Sequence, residues 1–345
     1  LNKMAWRRNG RANSNVPPFD NNPNAMLASA SYDRTIRIWS LTTGKSVKFI
    51  DYQIGQINAM NFTGTGRDLV VGSYQRADLF DINSGVTPKA TVQVPRNITA
   101  VGFEKNGRWM YTGGEEGTCR LWEMRSGRMI VACALPLKTP ALSMAVNTNQ
   151  TELFVSTDCG QVFIWDIRMN RYMELDVPND MVIQEFFNKL TCHPSGQLLI
   201  GITNKGRIAR WNLESREVED LSTQRNPLEP EKRKTATRVN LRDPHMVYRL
   251  TDHGLSVRTS PGGQMLVAAG AENKIHVFKT DTMERRTIDT GCRWNWDAII
   301  SSDSRHLFTG GDDCVVKVWN VATGKQVGAM EGHPKPITAL TTSSP

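Results

Sequence analysis

Seven short runs of strand-forming residues each end in an aromatic side chain, at Trp39, Phe80, Trp122, Trp165, Trp211, Phe278 and Trp319, at successive intervals of 41, 42, 43, 46, 67 and 41 residues. A period of about 40 to 45 residues is that of a four-stranded propeller blade, a unit that cannot bury its own faces and must stack on a neighbour. The third unit shows the grammar. An apolar strand, Ile98–Phe103, leads through Lys105–Arg108 into a second strand, Trp109–Thr112. A tight acidic turn, Gly113–Gly117, then opens a third strand that ends at Trp122. Ser126-Gly127-Arg128 turns the chain into a fourth strand, and Thr43-Gly44-Lys45, Ser84-Gly85 and Thr323-Gly324-Lys325 fill that slot elsewhere. The regular helical patterning that alternating βαβ units need is absent. The pattern therefore predicts an all-β fold, a seven-bladed β-propeller spanning residues 25–341 with an insertion in its longest interval.

The phase of the repeats says how the ring closes. Only one strand, Met26–Ala30, precedes Trp39, so the first unit lacks its inner strand, while Ile337–Thr341 is left over at the C-terminal end. Pairing the two makes one complete blade from both ends of the chain and removes two open sheet edges. The units resemble WD repeats, although the Trp-Asp pair closes only the fourth, at Trp165-Asp166. In a WD repeat a His, an Asp six residues before the Trp, a Ser on the second strand and the Trp form a buried hydrogen-bond chain. The resemblance assigns these roles to His333, Asp33, Ser29 and Trp39. The same residue types make a hydrolase triad, but a nucleophile needs exposure, an oxyanion hole and a pocket, and this set belongs inside a blade. An acid stands at that turn only in units one, three, six and seven (Asp33, Glu116, Glu272, Asp313), and only the first has a matching Gly-His, so most blades are expected to rely on packing alone.

No other constellation points to catalysis, a cofactor or a metal. Gly44-Lys45-Ser46 lacks the earlier glycine of a phosphate-binding loop, Trp39 standing there, and Gly64-Thr65-Gly66 has Leu69 in place of the third glycine of a dinucleotide site. The six histidines are scattered. Six cysteines lie far apart without a Cys-x-x-Cys pair, and they read as buried thiols of a reducing compartment. The longest apolar run, Met129–Leu135, is far short of the ~20 residues of a membrane-spanning helix, so no membrane insertion is expected.

The 42 basic and 34 acidic residues give a net charge of +8, which suggests nucleic acid only if it describes the domain. It does not. Residues 1–24 carry +3 in a stretch rich in Asn, Pro and Arg that reads as a disordered basic tail, and Arg225–Arg249, within an insertion at about 221–249, carries +4. The remaining propeller holds +1. The run Glu231-Lys232-Arg233-Lys234 is open to three readings: a nuclear signal, a phosphate contact or a solvated strip. The only aromatic in the insertion is Tyr248, which weakens a nucleic-acid partner further.

Some segments carry a more specific likeness. Asn97-Ile98-Thr99-Ala100-Val101-Gly102-Phe103, followed by Gly107-Arg108-Trp109-Met110-Tyr111-Thr112-Gly113-Gly114-Glu115, closely resembles the third blade of the small WD-repeat subunit of the target-of-rapamycin kinase complexes, also called G-protein β-subunit-like protein. Arg293-Trp294-Asn295-Trp296 resembles the tryptophan pair before its last full blade, and the run from Val316 to His333 also fits. The basic tail and the longer basic insertion depart from it. The resemblance implies a non-catalytic scaffold that docks on an insertion in the C-terminal lobe of the giant kinase, supports its activity and helps assemble accessory subunits. It also implies a cytoplasmic protein that reaches endomembrane or lysosomal surfaces through partners. The alternative is a generic WD-repeat adaptor, such as a ubiquitin-ligase substrate receptor or a reader of a peptide or modified tail. On the face formed by the second-to-third strand turns and the approaches to the inner strands, the expected contacts are Tyr32, Gln56, Tyr74, Asn97, Glu116, Trp294, Trp296 and Asp312. Inter-blade packing is the competing role for the two tryptophans.

Overall fold

The structure, a computed structural model, describes residues 19–20, 22–125, 128–178, 181–213, 237–239 and 245–343. Every helix or strand among them is a strand, and the strands form seven sheets, each running from an inner strand at a central channel to an outer strand at the rim. No helix among them is long and apolar enough to cross a membrane.

Closure follows the expected phase. The C-terminal strand Ile337–Thr342 pairs antiparallel with Met26–Ser31, in register Leu27↔Thr342 to Ala30↔Ala339, and becomes the inner strand of blade one. A buried ion pair reinforces the seam. Arg258, on the inner strand of blade six, donates through Nε and Nη2 to Asp297 of blade seven at 3.1 and 2.7 Å. The same Nη2 reaches the carbonyl of Leu340 at 2.9 Å, and Leu340 N–H returns to Asp297 at 3.0 Å. Three inner strands, including the one contributed by the C-terminal end, are thus tied through one carboxylate. Burial alone would raise that carboxyl's pKa; the charge and hydrogen bonds of Arg258, with Lys189 and Ser256, hold it below the usual carboxylate range.

The apolar residues form seven clusters, one between each pair of neighbouring blades. This explains the aromatic period. Blades are wedges, and each terminator fills the gap toward the preceding blade: Trp39 against blade seven, Phe80 against blade one, and so on to Trp319 against blade six. All seven are buried, none more than 6% exposed.

Two segments differ from a reading by composition. His245–Arg249, inside the stretch assigned to the insertion, is the outer strand of blade five, pairing with Arg207–Asn212. Thr237–Val239 adds a parallel fifth strand to the edge of blade four. Net charge cannot separate such strands from the loop that carries them. Residues 214–236 and 240–244, with most of the basic insertion, lie outside the described residues, as do residues 1–18 of the basic tail.

Phe19 and Asp20, within the stretch assigned to the tail, are buried. Phe19 joins the cluster between blades seven and one, its N–H donates to Leu41 O at 2.8 Å, and its ring lies edge-on to His306. Asp20 accepts from Ser302 N and Oγ at 3.2 and 2.7 Å. Gly328 leaves room for the ring, since a Cβ there would stand 2.6 Å from Phe19 Cζ. The pair clamps blade one to blade seven. Phe19→Ala is expected to cost about 3 kcal/mol, the lower end for a buried Phe, and a melting temperature unchanged by it would show the clamp to be idle.

Candidate functional site

A register shift builds the mouth of the channel. In six of the seven blades the inner strand carries a β-bulge near its start, opposite the end of the second strand. The extra residues are Thr99, Leu142, Asn188, Leu255, Trp296 and Thr338, and all six line one cavity of about 240 Å³ at the mouth. A bulge leaves one residue unpaired and re-aims its side chain. In blade seven that residue is Trp296, which is how an indole comes to lie at the rim of the channel and outside the inter-blade clusters.

Around it stands an aromatic group. Trp294 stacks on Trp296 with ring centroids 5.4 Å apart, and Tyr32, from the turn of blade one, meets Trp296 edge-on at 6.1 Å. Trp296 Nε1–H donates to Asp312 Oδ1 at 2.9 Å, which fixes the indole from the turn of its own blade. Both tryptophans are half-buried and belong to none of the seven clusters. Four of the eight expected contact residues, Tyr32, Trp294, Trp296 and Asp312, are therefore one assembly across the seam between blades seven and one.

The other four are dispersed along the same face. Tyr74 is 60% exposed, and a Cβ on Gly55 of the neighbouring connector, next to the exposed Gln56, would stand 3.7 Å from the Tyr74 Cβ. Asn97 accepts from Asn58 Nδ2 at 2.6 Å and donates to Glu115. Glu116 is committed, its two carboxylate oxygens gripped by the Arg120 guanidinium. Sequence reading missed Ile54, Val182 and Ile183, which lie on connectors of this face at 49%, 56% and 92% exposure. An apolar residue in a blade connector is the signal that could have found them.

The tetrad residues meet in one chain. Trp39 Nε1–H donates to Ser29 Oγ at 2.9 Å, Ser29 Oγ lies 2.8 Å from His333 Nε2, and His333 Nδ1 lies 3.0 Å from Asp33 Oδ2. The Thr35 hydroxyl also donates to Asp33 Oδ1, at 2.6 Å. Burial lowers the His333 pKa against the pull of Asp33, whereas the hydrogen bonds from Thr35 and His333 outweigh burial and lower that of Asp33. Both directions fit a neutral imidazole that donates from Nδ1 to an ionised Asp33 and accepts the Ser29 hydroxyl at Nε2. The distances are those of a hydrolase triad, but Ser29 is fully buried and capped by the indole, so no substrate reaches it.

Blades two, three, five, six and seven do not rely on packing alone. Where no Gly-His is present, the turn acid pairs with a base four residues on: Glu116 with Arg120, Glu272 with His276 at 2.5 Å, and Asp313 with Lys317 at 2.6 Å. The indole-to-hydroxyl leg survives as Trp122 to Thr112 and Trp319 to Thr309. In blade two the Tyr52 hydroxyl takes the histidine's part, 2.8 Å from Ser73 Oγ and 2.6 Å from Asp78. In blade five Glu185 does so, accepting from Thr203 at 2.8 Å and facing Arg207 at 3.0 Å. Cys119 and Cys292 are buried as expected, whereas Cys159 is exposed and Cys192 and Cys314 are half-buried where buried thiols were expected. No cluster of metal-binding side chains occurs among the described residues.

A family profile described as WD domain, G-beta repeat, matches residues 17–40, 87–123 and 294–320. The protein named Protein LST8 homolog from Drosophila pseudoobscura pseudoobscura is 30% identical over 320 residues, covering 91% of this chain and 95% of that protein. The chain belongs to the LST8 family. The Drosophila melanogaster protein of the same name is 29% identical over 319 residues, covering 91% of this chain and 95% of that protein. The Mus musculus protein named Target of rapamycin complex subunit LST8 is 27% identical over 330 residues, covering 91% of this chain and 94% of that protein. The family resemblance read from the third blade and the tryptophan pair is thus borne out. Ser29, Asp33 and Trp39 lie in the first of the matched WD segments, and Trp294, Trp296 and Asp312 in the last.

Proposed function

We propose that this LST8-family propeller is a non-catalytic subunit of a target-of-rapamycin complex, which docks on the catalytic lobe of the kinase through the face carrying Tyr32, Trp294 and Trp296 and supports assembly of accessory subunits. The carrying observation is the aromatic assembly itself. Three rings are held by a bulge, a stack and a hydrogen bond to Asp312, half-buried on a rigid ring and outside its core. Pre-positioned aromatic side chains of this kind are the commonest anchors of protein interfaces, because little side-chain entropy remains to be lost on binding. The relatives' printed names, Target of rapamycin complex subunit LST8 among them, agree with the reading. On this reading the protein works in the cytoplasm and reaches endomembrane surfaces through its partners.

The test is co-expression of the full chain with the C-terminal kinase lobe of its own organism, followed by gel filtration. Co-elution at an ionic strength of about 0.15 M, where the Debye length is about 8 Å, supports the proposal. Separate elution at that salt, or association only at low salt, refutes it.

A further inference from the structure

We propose that the waist of the central channel is a binding site for a small phosphate-class oxyanion, held by Lys189 and Arg258. The cavity at the mouth meets a second one, of about 370 Å³, and these two cations line both. Arg258 spends Nε and Nη2 on Asp297 and Leu340, and its Nη1 makes no hydrogen bond among the described residues. Asp297 is already satisfied. Besides Arg258 it accepts from Ser256 Oγ at 2.6 Å and from the N–H groups of Ala298 and Leu340, each at 3.0 Å. Its hydrogen-bonding capacity is taken up by these partners, so it offers Lys189 no hydrogen bond and only a coulombic pull, weaker than the burial and the Arg258 charge that oppose it.

Lys189 is the second cation of the waist. Its ammonium makes no hydrogen bond or ion pair among the described residues, although it stands at the junction of the two cavities. Burial, and then the charge of Arg258, draw its pKa down to about 8 against the pull of Asp297. The remaining charges on the channel wall do not compensate it. Glu104 turns into its own loop, accepting from Asn106 N and Nδ2 and from Arg108 N, and Lys105 beside it is itself basic. The waist therefore holds one positive charge in excess, and its three ammonium donors and the Arg258 Nη1 are engaged by no acceptor among the described residues. A tetrahedral oxyanion offers several acceptors and more than one negative charge to that set, which a halide does not.

The experiment is a titration of the full chain with inorganic phosphate and with pyrophosphate, against sodium chloride at equal ionic strength, by calorimetry and thermal melting. The expected result is saturable binding and a rise in melting temperature of roughly 2–4 °C at saturation beyond the chloride control. Lys189→Met is expected to abolish both, and to melt no lower than the unmodified chain in phosphate-free buffer, because it removes an unpaired cation. Lys189→Gln serves if the methionine variant folds poorly. Absence of saturable binding to the unmodified chain overturns the proposal, as does a phosphate response that survives either substitution.

Discussion

Replacing Trp294 and Trp296 together by Ala is expected to abolish co-elution with the kinase lobe while leaving the melting temperature nearly unchanged. The asymmetry follows from where the rings sit. Neither belongs to an inter-blade cluster, and the pair's ties to the rest of the fold are a stack on each other, an edge contact with Tyr32 and one hydrogen bond to Asp312. Removing them takes little from the ring, about 1 kcal/mol for the hydrogen bond and a share of half-buried area. An interface anchor costs at least about 2 kcal/mol when truncated, so two of them weaken association by roughly 100-fold or more, subject to the usual non-additivity. Met169, 60% exposed on the opposite face, is the matched control, and Met169→Ser should bind as the unmodified chain does. Undiminished binding of the double variant would remove this face from the interface. Loss of the folded state would make the tryptophans packing residues.

How much of this was legible before the structure depends on whether the physical cause is local. The seven terminators were readable because a wedge-shaped blade needs one bulky ring at the same place in every repeat, and spacing records that directly. Closure was readable by counting strands: one missing before Trp39, one left over after His333. The aromatic assembly was legible as a list of residues but not as a site. What places Trp296 at the channel mouth is a bulge, a property of register between two strands that no single strand displays. The carboxylate node of Arg258, Asp297 and Leu340 joins three segments far apart in the chain, and each looks ordinary alone. Lys189 was hidden for the same reason, since its missing partner shows only when Arg258 is seen to occupy Asp297. The pairs Glu116–Arg120, Glu272–His276 and Asp313–Lys317 were the avoidable miss. A search confined to the Gly-His form of the tetrad overlooks a base four residues from the acid, although both stand in plain view in one repeat.

His333→Ala should lower the melting temperature by roughly 3–10 °C, because it opens the ring where its two ends meet. The imidazole bridges a serine and an aspartate of the first blade from a connector at the other end of the chain, and it is 6% exposed. Without it the Ser29 hydroxyl loses its acceptor and the Asp33 carboxylate one of its donors; at about 1–3 kcal/mol for each unmet buried group, the loss is about 2–6 kcal/mol. The pH dependence separates this from a mere cavity. With its pKa lowered in the fold, His333 is neutral there, and the unfolded chain takes up the proton first as pH falls below about 6.5. The stability that the neutral imidazole contributes is therefore present above that value and lost on acidification. Asp33, also lowered, contributes stability that persists above the ordinary carboxylate range and disappears only as pH falls through its folded pKa, well below the histidine's window. The gap in melting temperature between the unmodified chain and His333→Ala should accordingly be wider at pH 7.5 than at pH 5.5, with both pH values chosen to bracket about 6.5. A gap that widens on acidification would mean a protonated imidazole in an ion pair with Asp33, and the hydrogen-bond directions assigned to the tetrad would have to be reversed at Nε2.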